Sequence, residues 1–340
     1  MTRGTTIGTV AVAAGAVAAG LAGRAIRRRP PAFGDGAWAP PPQDLGTVEA
    51  FDGTELAVRA AGPRDAPVLL FSHGFSLDMT AWREQWADLA DDFRCIAFDH
   101  RAHGRSGLPA SGEVTIRSIG RDLATVLHAV SSAAPVVLVG HSIGAIAILE
   151  LADQRPDLLD TRVAGAALFG ASASDLRRSA MGSVTQLLRP RLGSLAAAAR
   201  RVDRVRRAVL AAPRDVPAVV ARLTQFAPEA PDELVDHVLR LAADAPSLVW
   251  TEGLAAMMSM DLRHALPRVT MPVLVAVGDQ DRVTPPAAAI QLAAALPDGH
   301  LLVVEGAGHL PMLERPERVN PALRAFARGV LGLDRGKGAA

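Results

Sequence analysis

Residues 136–145 read Val-Val-Leu-Val-Gly-His-Ser-Ile-Gly-Ala, an apolar run followed by a G-x-S-x-G pentapeptide and the start of an apolar helical stretch. Few arrangements accommodate a strand that turns at once into a helix around a serine. Gly140 and Gly144 permit the tight backbone approach, and His141 fills the second position of the pentapeptide. The sharp turn exposes the Ser142 hydroxyl. The Ile143 N–H lies at a helix N-terminus and faces the place where a reacting carbonyl would sit.

The remaining pattern supplies a scaffold for that turn. Short apolar runs at residues 67–72, 95–99, 136–139, 163–169, 273–277 and 301–304 have the length and composition of strands buried on both faces. Residues 48–51 and 56–60 flank Asp52-Gly53, a hairpin turn signal. Helical spacing occupies residues 78–90, 115–130, 143–151, 285–295 and 316–330. This alternation predicts an α/β fold, a mostly parallel central sheet with helices on both faces. The rhythm breaks over residues 171–265, where no strand is evident and Ala, Arg and Leu recur at helical spacing. Such a block between two strands reads as a helical cap over their carboxyl ends, where open α/β sheets bind ligands. The core is then divided into residues 45–170 and 266–332, with residues 333–340 as a disordered tail and no internal repeat.

A serine hydroxyl is a weak nucleophile near neutrality, so it needs a base, and the base needs a carboxylate that orients it. Two later loops supply these in the order Ser, acid, His. Gly278-Asp279-Gln280-Asp281 follows one expected strand, and Gly306-Ala307-Gly308-His309 follows the last. Asp281 is read as the acid and His309 as the base, while Asp279 is read as a loop-capping carboxylate. A second oxyanion donor is expected from Phe71-Ser72-His73-Gly74-Phe75, with the Phe75 N–H joining that of Ile143. The Phe75 side chain would line an acyl pocket, and His73, beside Gly74, would hold the loop by hydrogen bonds.

These residues together resemble the α/β-hydrolase superfamily, over roughly residues 45–332. The resemblance includes Asp99-His100-Arg101-Ala102-His103-Gly104-Arg105-Ser106, similar to a loop commonly D-x-R-G-x-G-x-S, with Ala102 where many members have Gly. Residues 306–318 also look typical of it. A looser likeness, carried by this loop and the N-terminal segment, is to actinobacterial membrane-associated hydrolases. The resemblance implies the α/β-hydrolase fold with a helical cap and a serine hydrolase acting on carboxylic esters, with an apolar acyl group. It implies no metal or organic cofactor. Cofactor-free perhydrolases (haloperoxidases) and C–C bond hydrolases share the triad and remain alternatives, as does a non-catalytic binding protein on the fold. Ser142 excludes the branches that carry an Asp nucleophile at the elbow.

The formal net charge of the 340 residues is +1, so nothing global points to nucleic acid. Cys95 is the one cysteine, which excludes an internal disulfide, and its apolar neighbours mark it as buried. Residues 7–23 carry no charge and are followed by Arg24, Arg27, Arg28 and Arg29. A cleaved signal peptide carries its positive charge ahead of the apolar stretch. The order here favours an uncleaved membrane anchor within residues 1–30 and a cytoplasmic catalytic domain; a signal peptide or a weakly ordered tail is the alternative. Residues 31–44 read as a Pro-rich linker. The cap's many arginines, among them Arg177, Arg178, Arg189, Arg191, Arg200, Arg201, Arg204, Arg206, Arg207, Arg214 and Arg222, fit either anionic lipid or a solvated face. Met257, Met258 and Met260 fit either an adaptable pocket or core filling.

Overall fold

In a computed structural model, residues 43–131, 134–174, 195–213 and 215–334 are described. Eight strands form one sheet: β1 (Gln43–Glu49), β2 (Glu55–Ala61), β3 (Val68–Ser72), β4 (Arg94–Phe98), β5 (Val136–His141), β6 (Val163–Phe169), β7 (Val273–Gly278) and β8 (Gly299–Val304). Their spatial order is β1-β2-β4-β3-β5-β6-β7-β8. β2 runs antiparallel to both β1 and β4, and every other pairing is parallel.

The side-chain period of two explains how these apolar strands bury both faces. Along β3, Leu70 points to one side and Leu69 and Phe71 to the other, all without solvent exposure. On the first side, Leu70, Leu138, Leu168 and Val275 pack with Ile119 and Leu123 of α2 (Ile116–Val130) and Ile146 and Leu149 of α3 (Ile143–Gln154). On the second, Phe71, Val139, Phe169 and Ala276 pack with Trp82 and with Trp86 of α1 (Arg83–Leu89). Leu323 of the last long helix, Pro316–Val330, joins this second layer. Each such aliphatic side chain contributes about 1.5–3 kcal/mol by leaving water. Cys95 lies in the second layer, and burial pushes its thiol up to about 12.

Several expected bounds shift for identifiable reasons. The helix expected over residues 78–90 begins as a 3-10 turn, Met79–Trp82, before α1. Asp78 accepts the Thr80 N–H, and the Met79 N–H goes to the Asp99 carboxylate at 2.8 Å, which sets the tighter start. β1 begins at Gln43, so the last two residues assigned to the Pro-rich linker are strand. Residues 333 and 334, assigned to a disordered tail, form a turn in which Arg328 meets Asp334 at 2.9 Å and the Leu333 N–H reaches Arg328 O. Residues 335–340 lie outside the described residues, as do residues 7–23. Among the described residues, no helix is long and apolar enough to cross a membrane.

After α4 (Pro156–Arg162) and β6, the described part of the insertion is helical: α5 (Leu195–Leu210), α6 (Asp215–Thr224), α7 (Asp232–Asp244), a π turn at Val249–Gly253 and α8 (Leu254–Ser259). Arg200, Arg201, Arg204 and Arg207 are exposed, whereas Arg206 turns inward to Asp203 at 2.7 Å and stacks over Trp250. Arg222 pairs with Asp232. Arg177, Arg178, Arg189, Arg191 and Arg214 lie outside the described residues. Met257 and Met260 are buried in the first layer's core and Met258 packs against it, so these residues fill core. The chain then returns to the sheet through β7, α9 (Pro286–Ala295), β8, the short helix α10 (Pro311–Glu314) and α11 (Pro316–Val330).

Candidate active site

Ser142 stands between β5 and α3 with φ 51° and ψ −112°, in the left-handed region that side chains avoid. The surroundings hold it there. Its N–H donates to Phe169 O at 2.8 Å, and its carbonyl accepts from the Ile146 N–H at 3.0 Å. A Cβ on Gly140 would stand 2.6 Å from Ala145 N. One on Gly144 would stand 2.6 Å from the Ser72 carbonyl carbon and 2.7 Å from His73 O. Only glycine lets α3 start so close to the end of β3.

His309 and Asp281 meet after β8 and β7. Asp281 Oδ2 lies 2.8 Å from His309 Nδ1, with both residues buried. The Thr284 hydroxyl donates to the same oxygen at 2.7 Å, and the Val283 and Thr284 N–H groups donate to Oδ1 at 2.8 Å each. Burial works to raise the Asp281 carboxyl, yet the His309 ring and the Thr284 contacts hold it below its ordinary value. A carboxylate at Nδ1 keeps the proton on that nitrogen and leaves Nε2 as the basic atom. Asp279 is elsewhere: its Oδ1 accepts the Gly306 N–H at 2.8 Å and ties the two loops together.

His141, the residue before Ser142, and Gly170 both lie against His309. The His141 ring lies 4.8 Å from the His309 ring, and its Nε2–H donates to His309 O at 2.9 Å. Gly170 follows the Phe169 carbonyl that takes the Ser142 N–H, and a Cβ there would stand 3.0 Å from His309 Cε1. Burial, with the His309 ring adding to it, pushes His141 down to about 3, so it is neutral near pH 7.

The loop carrying Phe75 is held by three neutral histidines. His73 Nε2 accepts the His100 N–H at 3.0 Å, so its Nδ1–H donates to Gly74 O at 2.8 Å. His103 Nε2 accepts the N–H of Ser76 at 3.2 Å, and its Nδ1–H donates to Arg101 O at 2.9 Å. Ser76 sits at φ 55°, so this bond supports a strained residue immediately after Phe75. His100 Nε2 reaches Ser72 Oγ at 3.0 Å and His73 O at 3.2 Å. Burial pushes His100 to about 3, burial pushes His103 to about 4, and burial followed by its neighbours His100 and His103 holds His73 well below its ordinary value. Gly74 has no room for a side chain, because the His141 ring occupies that space. The Phe75 and Ile143 N–H groups take no acceptor among the described residues. Among those residues, no group of three or more His, Cys, Asp or Glu side chains is arranged to hold a metal ion.

Three supporting residues escape the motif pattern. Thr284 is signalled locally, as a hydroxyl three residues past Asp281. His100 and His103 belong to the Asp99–Ser106 loop, and nothing local says that they reach back to Ser72–Ser76.

Comparison with known proteins shows the family. The sequence profile of the alpha/beta hydrolase family matches residues 68–322. The chain is 31% identical to a non-heme chloroperoxidase of Streptomyces lividans, over 84% of this chain and all of that one. It is 28% identical to a 2-(acetamidomethylene)succinate hydrolase of Mesorhizobium japonicum, over 80% of this chain and 91% of that one. Among solved structures, a thermophilic esterase from Thermogutta terrifontis superposes with a TM-score of 0.67 at 29% identity, over 85% of this chain and 99% of the esterase. Sheet order, elbow, loop placement and sequence agree: the chain belongs to the alpha/beta hydrolase family.

Proposed function

We propose that the protein is a serine hydrolase that cleaves carboxylic esters through an acyl-enzyme. In this reading the Ser142 hydroxyl attacks the ester carbonyl and its proton passes to His309 Nε2. The Phe75 and Ile143 N–H groups stabilise the oxyanion. Collapse expels the alcohol, which takes the proton back from His309, and water then releases the acid by the same steps. Asp281 holds the ring and stabilises the imidazolium. The observation that carries the reading is the buried Asp281–His309 bond at 2.8 Å beside a serine at φ 51°. The likeness to an esterase supports the ester class. An apolar acyl group is favoured by the Phe75 ring, which meets Trp250 edge-on at 4.9 Å and packs near Gly253 and Val114.

The likeness to a chloroperoxidase favours one second reading. Hydrogen peroxide would replace water at the acyl-enzyme and give a peracid, which would oxidise halide to hypohalous acid and return the carboxylic acid. A fluorophosphonate probe followed by peptide mass spectrometry should label Ser142, and Ser142→Ala should abolish ester hydrolysis while leaving stability nearly unchanged. Labelling at another serine, or near-normal turnover in the variant, would refute the assignment. Esters of graded chain length, run beside peroxide- and carboxylate-dependent halogenation, separate the two readings. Membrane attachment through residues 7–23, with the catalytic domain on the cytoplasmic side, is proposed from the apolar run and the arginines after it.

A further inference from the structure

Glu314 is 5% exposed, and its carboxylate is filled by main-chain donors from two distant pieces of chain. Oε1 accepts the N–H of Gly308 at 3.0 Å and of Leu310 at 3.1 Å, the residues on either side of His309. Oε2 accepts the N–H of Ala227 at 2.8 Å, from the cap segment that follows α6. The N–H of His309 itself donates to Gln225 O at 2.6 Å. All three amides from 308 to 310 are therefore taken, the outer two by Glu314 and the middle one by the cap.

The two segments approach closely enough to require glycine. A Cβ on Gly308 would stand 2.5 Å from Gln225 O and 2.8 Å from Ala227 N. A buried carboxylate without partners is too costly to keep, and this one is retained with three. Burial raises its pKa, against the pull of those N–H groups and of His309. Nothing in the reaction proposed above uses this carboxylate directly.

We propose that Glu314 is a positioning residue that fixes the main chain on both sides of His309 and fastens the cap's 225–227 turn to it, so that the base is aligned only while the cap is seated. The inference rests on reading His309 as the base. A glutamine here keeps the volume but offers one acceptor and one NH2, and whichever way it turns, the NH2 faces an N–H donor. One side of the clasp must then open.

Ester turnover of Glu314→Gln should fall about 10- to 100-fold in kcat with KM within about threefold, since a misplacement on the order of 1 Å costs about that much. Loss of folding alone would instead lower the active fraction in proportion to the melted protein, which thermal unfolding measures. Hydrogen exchange reads the clasp directly. In the parent protein the Gly308, Leu310 and Ala227 amides should be protected although all three lie in loops, and in Glu314→Gln they should exchange at least about tenfold faster. Free-loop exchange rates in the parent, or a variant kcat within twofold of the parent, would overturn the role of Glu314. His309→Asn is the separate control: sustained turnover there would overturn the base reading, and the positioning role with it, whatever the amides do.

Discussion

Gly144→Ala tests the central claim that the elbow and the Phe75 loop form one oxyanion site. The added methyl would stand 2.6 Å from the Ser72 carbonyl carbon and 2.7 Å from His73 O, and closer still to Ser72 O. Ordinary contact begins at 3.4 Å, and the contact to Ser72 O is the tightest, so the start of α3 and the end of β3 must part by about 1.3 Å. Both sides are backbone in paired elements, so neither yields like a flexible side chain. Ile143 lies on one side of the gap and Phe75, three residues past Ser72, on the other. Parting them lengthens the span between the two N–H donors. Loss of one well-aimed donor lowers turnover by about 10²–10³-fold. Overpacking of this size costs about 1–3 kcal/mol of stability, or a Tm lower by roughly 2–12 °C for a domain of this length. Steady-state kinetics on an activated ester and thermal unfolding read the two effects separately. The comparison variant is Gly329→Ala in α11, where nothing lies within 4 Å of the new methyl; it should keep full activity and gain about 0.5–1 kcal/mol. A Gly144→Ala enzyme that melts early but keeps kcat within threefold would refute the reasoning, because the donors would then tolerate separation.

Other outcomes follow from the same geometry. Asp281→Asn should lose about 10⁴-fold in turnover through the wrong His309 tautomer, whereas Asp279→Asn, which only loses a loop tie to Gly306, should stay within about tenfold; steady-state kinetics on both would expose a reversed order. Stability should fall steeply under mild acid. His100, His103 and His141 are held at about 3, 4 and 3 when folded but titrate near 6.5 when unfolded, so the unfolded chain binds more protons below that value. Their contribution is complete above about pH 6.5 and is lost toward pH 3–4, each adding up to about 1.4 kcal/mol per pH unit. Urea midpoints at pH 7.5, 6.5 and 5.5 check this, and a flat profile below pH 6.5 would contradict the neutral histidine network. Deleting residues 1–30 should release an active enzyme from membranes, and a full-length protein that fractionates as soluble at low and high salt would count against the anchor.

Much of this was legible in sequence because the site is built from strand ends. Each apolar run is short and bounded, so its carboxyl end is readable, and Ser142, Asp281 and His309 each fall just past one. Asp281 could be separated from Asp279 by counting from Gly278, since the turn after a strand has few conformations. Glu314 could not be found this way. Its partner Ala227 is 87 residues away in a helical insertion, and main-chain donors leave no pattern in side-chain identity. The histidine tautomers were equally hidden, because they depend on which backbone N–H each ring meets. The broken helix at Met79–Trp82 was missed because periodicity records the apolar face and not the Asp99 carboxylate that takes the Met79 N–H.

The antiparallel pair at the sheet's edge fixes where the amino-terminal chain enters. β1 opposes β2 and β2 opposes β4, so β1 runs in the same sense as the central strands. Gln43 is paired with Ala60 and through it stands level with Ile96 at the middle of β4, while Ser142, Asp281 and His309 follow the strands' carboxyl ends. β1 is also four strands from β5, roughly 19 Å at the usual spacing, so whatever precedes Gln43 joins the domain at the sheet's edge, at mid-height and to the side of Ser142. A tether attached there meets the domain beside the sheet and not at the strand ends that carry the site. An enzyme immobilised through its amino terminus should keep free access for substrate, whereas one held through the 225–227 turn, which bonds the chain at His309, should not.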